Sequence, residues 1–550
     1  MRSMLVLSTV LLFCSTAFAQ QLGWTNIKGY GFDTDGQLVK FQQLIIDTDS
    51  GKVLARGDAI QADYPDAHWQ DGGGKAILPG LIDGHGHILG LGQNLMQVEL
   101  RGAQSQLEAV ERVAEFAARH PEQQWIQGRG WNQVLWDNNE FPSTALLDEA
   151  VSDRPVWLSR IDGHAGWANS KALELAGITK DTLDPPGGRI LRDEQGNPTG
   201  VLLNNARQYI SDILPESNEA EVIQALEAAF AELLSLGITS VHDAGIDSAL
   251  ARLYQRLRHE NAIPLRIYAM LSARNPDLQD WLDQGIIEDE QDRLLIRAVK
   301  LYGDGALGSR GAALLADYKD QPEHRGLLVT EPDRLTAQMQ ATIEAGFQAN
   351  VHAIGDRANR MVLDRFEQLA TQEQLAQGRH RMEHAQIVSP QDIPRFKTLH
   401  VLPSMQAVHA TSDMNMAGDR LGAARLRGAY AWRTFVDQGS PIVGGSDFPV
   451  ELANPFHGLH ASVTRQDQQN QPVGGWLPEQ RLTLTEALRS FTRDAAYGAF
   501  QEERLGSLAP GMWADFIVLA QDPFAIEPEQ LWQLEVLQTW LAGNKVFHRE

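Results

Sequence analysis

The chain has 550 residues, with Lys+Arg 47 against Asp+Glu 71, a formal net charge of -24, 43% hydrophobic residues and a single cysteine. That length and apolar fraction support a substantial core and exclude a wholly disordered chain, and the acidic excess works against nucleic-acid phosphates and anionic membrane surfaces as ligands. One cysteine excludes an intrachain disulfide framework and a Cys-rich zinc or iron–sulfur site.

Residues 1–20 (MRSMLVLSTVLLFCSTAFAQ) carry one Arg, an apolar run and then Ala17-Phe18-Ala19, the small-x-small pattern of a cleavage site. Residues 1–19 therefore read as a secretory signal peptide, placing the protein in the periplasm or outside the cell. A membrane anchor is the weaker reading, because the run falls short of the roughly 20 residues that span a bilayer. Phe13 is bulky where a lipoprotein signal at Cys14 would need a small residue. Cleavage after Ala19 removes Cys14, leaving a mature chain without a thiol, which suits an oxidising compartment.

Beyond the leader, short apolar runs end in polar residues and alternate with helical patterns. The runs are 76–87 (AILPGLIDGHGH), 237–243 (GITSVHD), 265–271 (LRIYAML), 294–302 (LLIRAVKLY), 346–352 (GFQANVH), 379–384 (RHRMEH), 400–406 (HVLPSMQ) and 441–447 (PIVGGSD). Amphipathic stretches such as 220–236 and 334–345 lie between them. Strands alternating with helices argue for a parallel sheet with crossover helices, and eight of them for a (β/α)8 barrel spanning 78–499.

The interval between the first two strands is too long for one crossover. Residues 92–220 hold strand-like runs of their own at 124–131 and 155–160, with turn signals at Asp184-Pro185-Pro186-Gly187-Gly188, and read as an inserted lid subdomain over the barrel mouth. Both ends of the chain, 20–77 and 500–550, carry short β-type runs without helices (44–53, 515–519, 536–540 and 545–548). They are expected to pair into one small composite β-domain, sandwich-like in form.

The sharpest chemical signal is Asp83-Gly-His85-Gly-His87. Alternate residues of a strand share a face, so His85 and His87 can present imidazoles to one divalent ion; an ordinary polar strand end is the bland alternative. Lys300 stands inside an apolar run, where an unpaired ammonium is costly. His352, His384 and Asp447 end the fifth, sixth and eighth strands. Catalytic groups of such barrels gather at the C-terminal ends of the strands, so six potential ligands from five strands converge on one place. Each has a separate bland explanation, as a core histidine, a snorkelling lysine or a capping aspartate. Their joint placement favours a metal site.

This pattern resembles the amidohydrolase superfamily, and more specifically amidohydrolase family 3, the branch with N-substituted formamide deformylases. The supporting segments are Gly128-Arg-Gly-Trp131, Asp162-Gly-His-Ala165, Lys300-Leu-Tyr-Gly-Asp-Gly-Ala-Leu-Gly-Ser-Arg310, His352-Ala-Ile-Gly-Asp356, Glu383-His-Ala-Gln386, His409-Ala-Thr-Ser-Asp413, Gly445-Ser-Asp-Phe-Pro449 and Gly506-Ser-Leu-Ala-Pro-Gly-Met-Trp-Ala-Asp-Phe516. The resemblance covers essentially the whole mature chain. It implies a hydrolase acting on a non-peptide carbon–nitrogen bond (N-formyl, N-acyl or cyclic amide) of a small-molecule substrate. It also implies one or two divalent ions, zinc by the imidazole-rich set, with His85, His87 and Asp447 at one ion and His352 and His384 at the other. A carboxylated Lys300 would bridge them, and Asp447 would be the general base for a metal-activated hydroxide.

The alternatives are a metal-dependent esterase or carbamate hydrolase on the same site, and a catalytically idle exported protein that binds metal or ligand. Candidate substrate contacts are Trp131, Asp162, His164, Asp304, Arg310 and His409, each weighed against a structural role; Asp413 and His242 are further site-lining candidates. No nucleic-acid partner and no stable membrane insertion are expected. Oligomeric state stays open, a homo-oligomer among the alternatives.

Overall fold

The computed structural model describes residues 21–136, 140–160, 165–215 and 218–550. The leader, Asp162 and His164 lie outside them. Among the described residues no helix is long and apolar enough to cross a membrane. The chain divides into two compact units: Met1–His85, Leu234–Ser446 and Asn454–Glu550 form the larger, Gly86–Leu233 and Asp447–Ala453 the smaller.

The central sheet has eight strands in sequential order: β1 (Leu81–Gly86), β2 (Ile238–Ile246), β3 (Arg266–Ser272), β4 (Leu294–Tyr302), β5 (Gln348–Ala353), β6 (Arg381–His384), β7 (Leu402–Gln406) and β8 (Val443–Gly445). Pairing from β2 through β8 is parallel at every step. Strands β3, β6 and β7 are buried at every residue, the signature of parallel strands covered on both faces. Helices Ser248–His259, Leu278–Gln284, Pro332–Glu344, Asp356–Leu369, Ile393–Thr398 and Ala407–Leu421 return the chain between successive strands. The fold is a (β/α)8 barrel.

Closure rests on a carboxylate. Buried Asp83 on β1 accepts the amide of His85 (3.0 Å), the amide of Ser446 (3.1 Å) and the Ser446 hydroxyl (2.6 Å), tying the first strand to the end of the last. A Cβ on Gly445 would lie 2.6 Å from the His85 nitrogen, so only glycine admits this approach.

The run at 76–87 is two strands, not one. Chain direction breaks at Gly80, whose amide donates to the Asp515 carbonyl (2.9 Å), whereas that of Leu81 donates to Gly237 (3.1 Å). Ala76–Pro79 consequently pairs antiparallel with Phe516–Leu519 in a sheet built from both termini. That sheet has six strands, in the order Asn544–His548, Val536–Leu541, Phe516–Leu519, Ala76–Pro79, Lys28–Phe32 and Leu38–Phe41; a second has four, Lys52–Gly57, Gln43–Asp47, Gln21–Thr25 and His68–Asp71. Trp24, Phe516 and Trp540 pack together in the terminal core, ring centroids 5.2–5.3 Å apart.

The smaller unit holds a mixed six-stranded sheet in the order Gly188–Arg192, Pro198–Asn204, Ala165–Ala168, Val156–Arg160, Ile126–Trp131 and Val98–Glu99. Helix Gln106–Arg119, capped by the Ser105 hydroxyl on the Glu108 amide (3.0 Å), adds Val110, Val113 and Phe116 to its core.

Candidate metal centre

The site is built on polar groups inside the barrel. Arg381 and Glu383 alternate on β6, both fully buried, and alternation sends them to the same face. The Arg381 guanidinium donates to His242 Nδ1 on β2 (2.9 Å), the Gly84 carbonyl on β1 (2.6 Å), Ser404 Oγ on β7 (2.8 Å) and Glu383 itself (3.1 Å). Burial would push the Glu383 carboxyl up, but the adjacent Arg381 guanidinium, with His85 and Lys300, holds it well below the usual carboxylate range. Burial beside Arg381 likewise drives the His242 pKa well down, so His242 is a neutral acceptor. His242 belongs to this supporting layer.

Glu383 reaches His85 Nδ1. The His85 Nδ1–H therefore faces the carboxylate, and Nε2 is left as the lone-pair nitrogen, 3.1 Å from Lys300 Nζ. His384 repeats the arrangement: its Nδ1 donates to Gln406 Oε1 (2.8 Å) at the end of β7, leaving Nε2 as the lone-pair nitrogen. An acceptor behind one ring nitrogen is how proteins orient metal-ligating imidazoles. One ligand atom each from His85, His384 and Asp447 lie within 4.8 Å of one another, and all three residues are buried. Two buried imidazoles with assigned tautomers and a carboxylate fit a divalent cation.

The other candidate ligands join this group. His87 Nε2 is 3.1 Å from Asp447 Oδ1. The His352 ring lies 4.6 Å from that of His384, which is 4.9 Å from that of His85. His384 and Asp447 have φ of +75° and +63°, the left-handed region that costs a non-glycine residue roughly 1 kcal/mol or more. Two prospective ligands thus sit in backbone conformations that the surrounding packing must enforce.

The six ligand candidates come together, but the candidate substrate contacts separate. The His409 ring stands 5.8 Å from His384, on the helix after β7. One turn on, Asp413 accepts from the Tyr430 hydroxyl (2.6 Å), and burial raises its pKa. Asp304 is a buried anchor: it accepts the amides of Ala313 (2.7 Å), Ile354 (2.9 Å) and Gly355 (2.8 Å), with His352 Nε2 3.6 Å away. Burial pushes its pKa up to about 7. Arg310 is committed to Asp320 (2.9 Å). Trp131 is corrected from a substrate contact to a core residue: it is 0% exposed, and its indole N–H donates to the Leu158 carbonyl (2.8 Å) beside Trp136 and Trp167.

Glu383, Gln406, Arg381 and Asp83 carry functions that the motifs did not assign. An Arg-x-Glu pair inside a strand ending in histidine was the available signal, since same-face opposite charges in a buried run must serve one another or a neighbour.

Residues 69–547 match the model of the Amidohydrolase family. The chain is 34% identical to Protein LONG AFTER FAR-RED 3 of Arabidopsis thaliana over 487 residues, 86% of this chain and 82% of that protein. It is 27% identical to the N-substituted formamide deformylase of Arthrobacter pascens over 503 residues, 88% and 91% of the two chains. Among solved structures, an uncharacterized metal-dependent hydrolase from Pyrococcus horikoshii superposes with a TM-score of 0.76 at 28% identity, over 92% of this chain and 99% of that one. The chain is a hydrolase and belongs to the Amidohydrolase family.

Proposed function

We propose that the protein hydrolyses a non-peptide carbon–nitrogen bond, of the N-formyl, N-acyl or cyclic amide type, at the His85–His384–Asp447 group. The observation that carries this is the convergence of two oriented imidazoles and a carboxylate within 4.8 Å, with Lys300 3.1 Å from one of them. The Arthrobacter pascens relative is, by its name, a deformylase of an N-substituted formamide, which supports the amide reading.

His85, His87, His352, His384, Asp447 and Lys300 would hold one or two divalent ions, with zinc suited to the imidazole-rich set. A bound divalent ion supplies Lewis acidity toward water and toward a carbonyl oxygen. Asp447, oriented by His87, takes the proton of the attacking water and passes it to the departing nitrogen. An ammonium on Lys300 would occupy the His85 Nε2 lone pair, the position a cation needs. Carboxylation of Lys300 removes that conflict and supplies an anionic ligand; a native mass with no added carboxyl group on the metal-loaded protein would refute it. Export by a leader ending at Ala19 completes the reading, and N-terminal sequencing of the mature protein tests it.

The test is turnover of a panel of N-acyl amines and matched esters. Activity on the amides is expected to vanish on chelation and return with zinc. Asp447→Asn should lower kcat by at least about a hundredfold, the scale of a lost general base, while keeping an oxygen ligand. Hydrolysis of esters alone would move the assignment to the esterase reading, and full activity in Asp447→Asn would sink the mechanism.

A further inference from the structure

Three neighbouring strands of the barrel build a second cluster beside Lys300. Ser272, the last residue of β3, is the register partner of Lys300 on β4. Tyr302 follows Lys300 by two positions and so shares its face of β4; Lys300 Nζ lies 5.9 Å from the Tyr302 ring centroid. The Tyr302 hydroxyl stands 3.3 Å from Ser272 Oγ. Gly245 on β2, at φ +82°, gives the hydroxyl room, since a Cβ there would lie 2.6 Å from it.

Arg274, just past the end of β3, stacks its guanidinium 4.1 Å from the Tyr302 ring centroid. Its backbone amide donates to Ser272 Oγ (3.2 Å), fixing the start of the loop. The side chain is exposed, and among the described residues no carboxylate pairs with it. Measured from the same ring, the guanidinium and Lys300 Nζ are no more than about 10 Å apart, within the span of three extended residues.

We propose that Arg274, held on Tyr302, is a specificity-determining residue that captures an anionic group of the substrate, a carboxylate within about one residue's length of the scissile amide. A guanidinium presents a planar fork that matches a carboxylate bidentately. Stacking on the ring limits its rotamers without neutralising its charge. Position at the C-terminal end of β3 puts it on the face where barrel loops receive substrate. This inference rests on the amide-hydrolase reading and extends it to N-acyl amino acids as the preferred class.

The experiment compares zinc-loaded enzyme on N-acetylphenylalanine and on N-acetylphenethylamine, its decarboxylated counterpart. Arg274→Met is expected to lower kcat/KM for the acid at least tenfold, mainly through KM, and to leave the neutral amide within twofold. Arg274→Lys should fall between, keeping charge but losing the fork. Equal loss on both substrates, or none on the acid, overturns the proposal. If the wild type cleaves neither, the hydrolytic reading fails on these substrates and calorimetry still decides the anion site: N-acetylphenylalanine should bind wild type at least tenfold more tightly than Arg274→Met. Equal binding, or no binding to either, overturns it.

Discussion

Two imidazoles of the centre, those of His85 and His384, depend on a residue behind them. Glu383 faces the proton on His85 Nδ1 and so leaves Nε2 with its lone pair, and it is also the counter-charge of buried Arg381. Glu383→Gln should therefore act twice. Metal affinity should fall by about 10- to 100-fold, read by competition with a chelator, and the fold should lose about 3 kcal/mol, because removing one partner of a buried pair strands the other. Unchanged metal affinity in a folded variant would contradict the orienting role. The candidate ligand types were legible in the sequence, since histidine, lysine and aspartate at strand ends are conspicuous in apolar runs. The tautomers were not: His85 and Glu383 are 298 residues apart along the chain.

Elements of the barrel wall are locked to each other by caps as well as by packing. Helix Leu484–Ser490 begins with a capping box in which Thr483 and Glu486 satisfy each other's backbone amides. Glu486 also receives both guanidinium nitrogens of Arg433 (2.7 Å each) from helix Trp432–Asp437. The Arg433 hydrogen bonds, with those from Thr483, lower its pKa to about 2. A depressed carboxyl pKa contributes stability that is present above its ordinary value of 4.5 and lost as pH falls toward 2. Glu486→Gln keeps the cap and removes the charge, so it should cost about 1 kcal/mol at pH 7 after solvent screening. Denaturant titrations should show that difference shrinking as pH falls from 4.5 to 3; a difference independent of pH would assign the effect to the cap.

Strand periodicity announced the barrel elements, because parallel strands buried on both faces are continuous apolar runs. It failed at 76–87, where the apolar pattern continues through Gly80 while the hydrogen-bond partners change sheet. Composition cannot reveal a change of partner.

At the scale of the molecule, the larger unit is one structure in spite of its three chain segments. Arg266 at the start of β3 is 0% exposed and forms a bidentate pair with Asp515 (2.6 and 3.0 Å), which also accepts the Ala542 amide (2.8 Å). Thr539 from the C-terminal hairpin donates to the Leu234 carbonyl (2.7 Å) just before β2. Asp515→Ala should destabilise the protein by about 3–5 kcal/mol, since it leaves a buried guanidinium uncompensated. Tryptophan fluorescence and far-UV dichroism should still give coincident unfolding curves for barrel and terminal sheets. Loss of the terminal sheets alone, ahead of the barrel, would show that the two are separable.

The amino-acid sequence by itself determined the strand-and-helix alternation, the six candidate metal ligands and the family resemblance, because these are written in local periodicity and residue type. Tertiary structure alone decided that Gly80 divides two sheets, that Trp131 fills a core, that Glu383 and Gln406 face the Nδ1 atoms of His85 and His384 and that Arg274 stands on Tyr302. These depend on which distant segments closure of the barrel makes neighbours. Burial then fixes the outcome, because a polar group removed from water must find its partner wherever the fold supplies one.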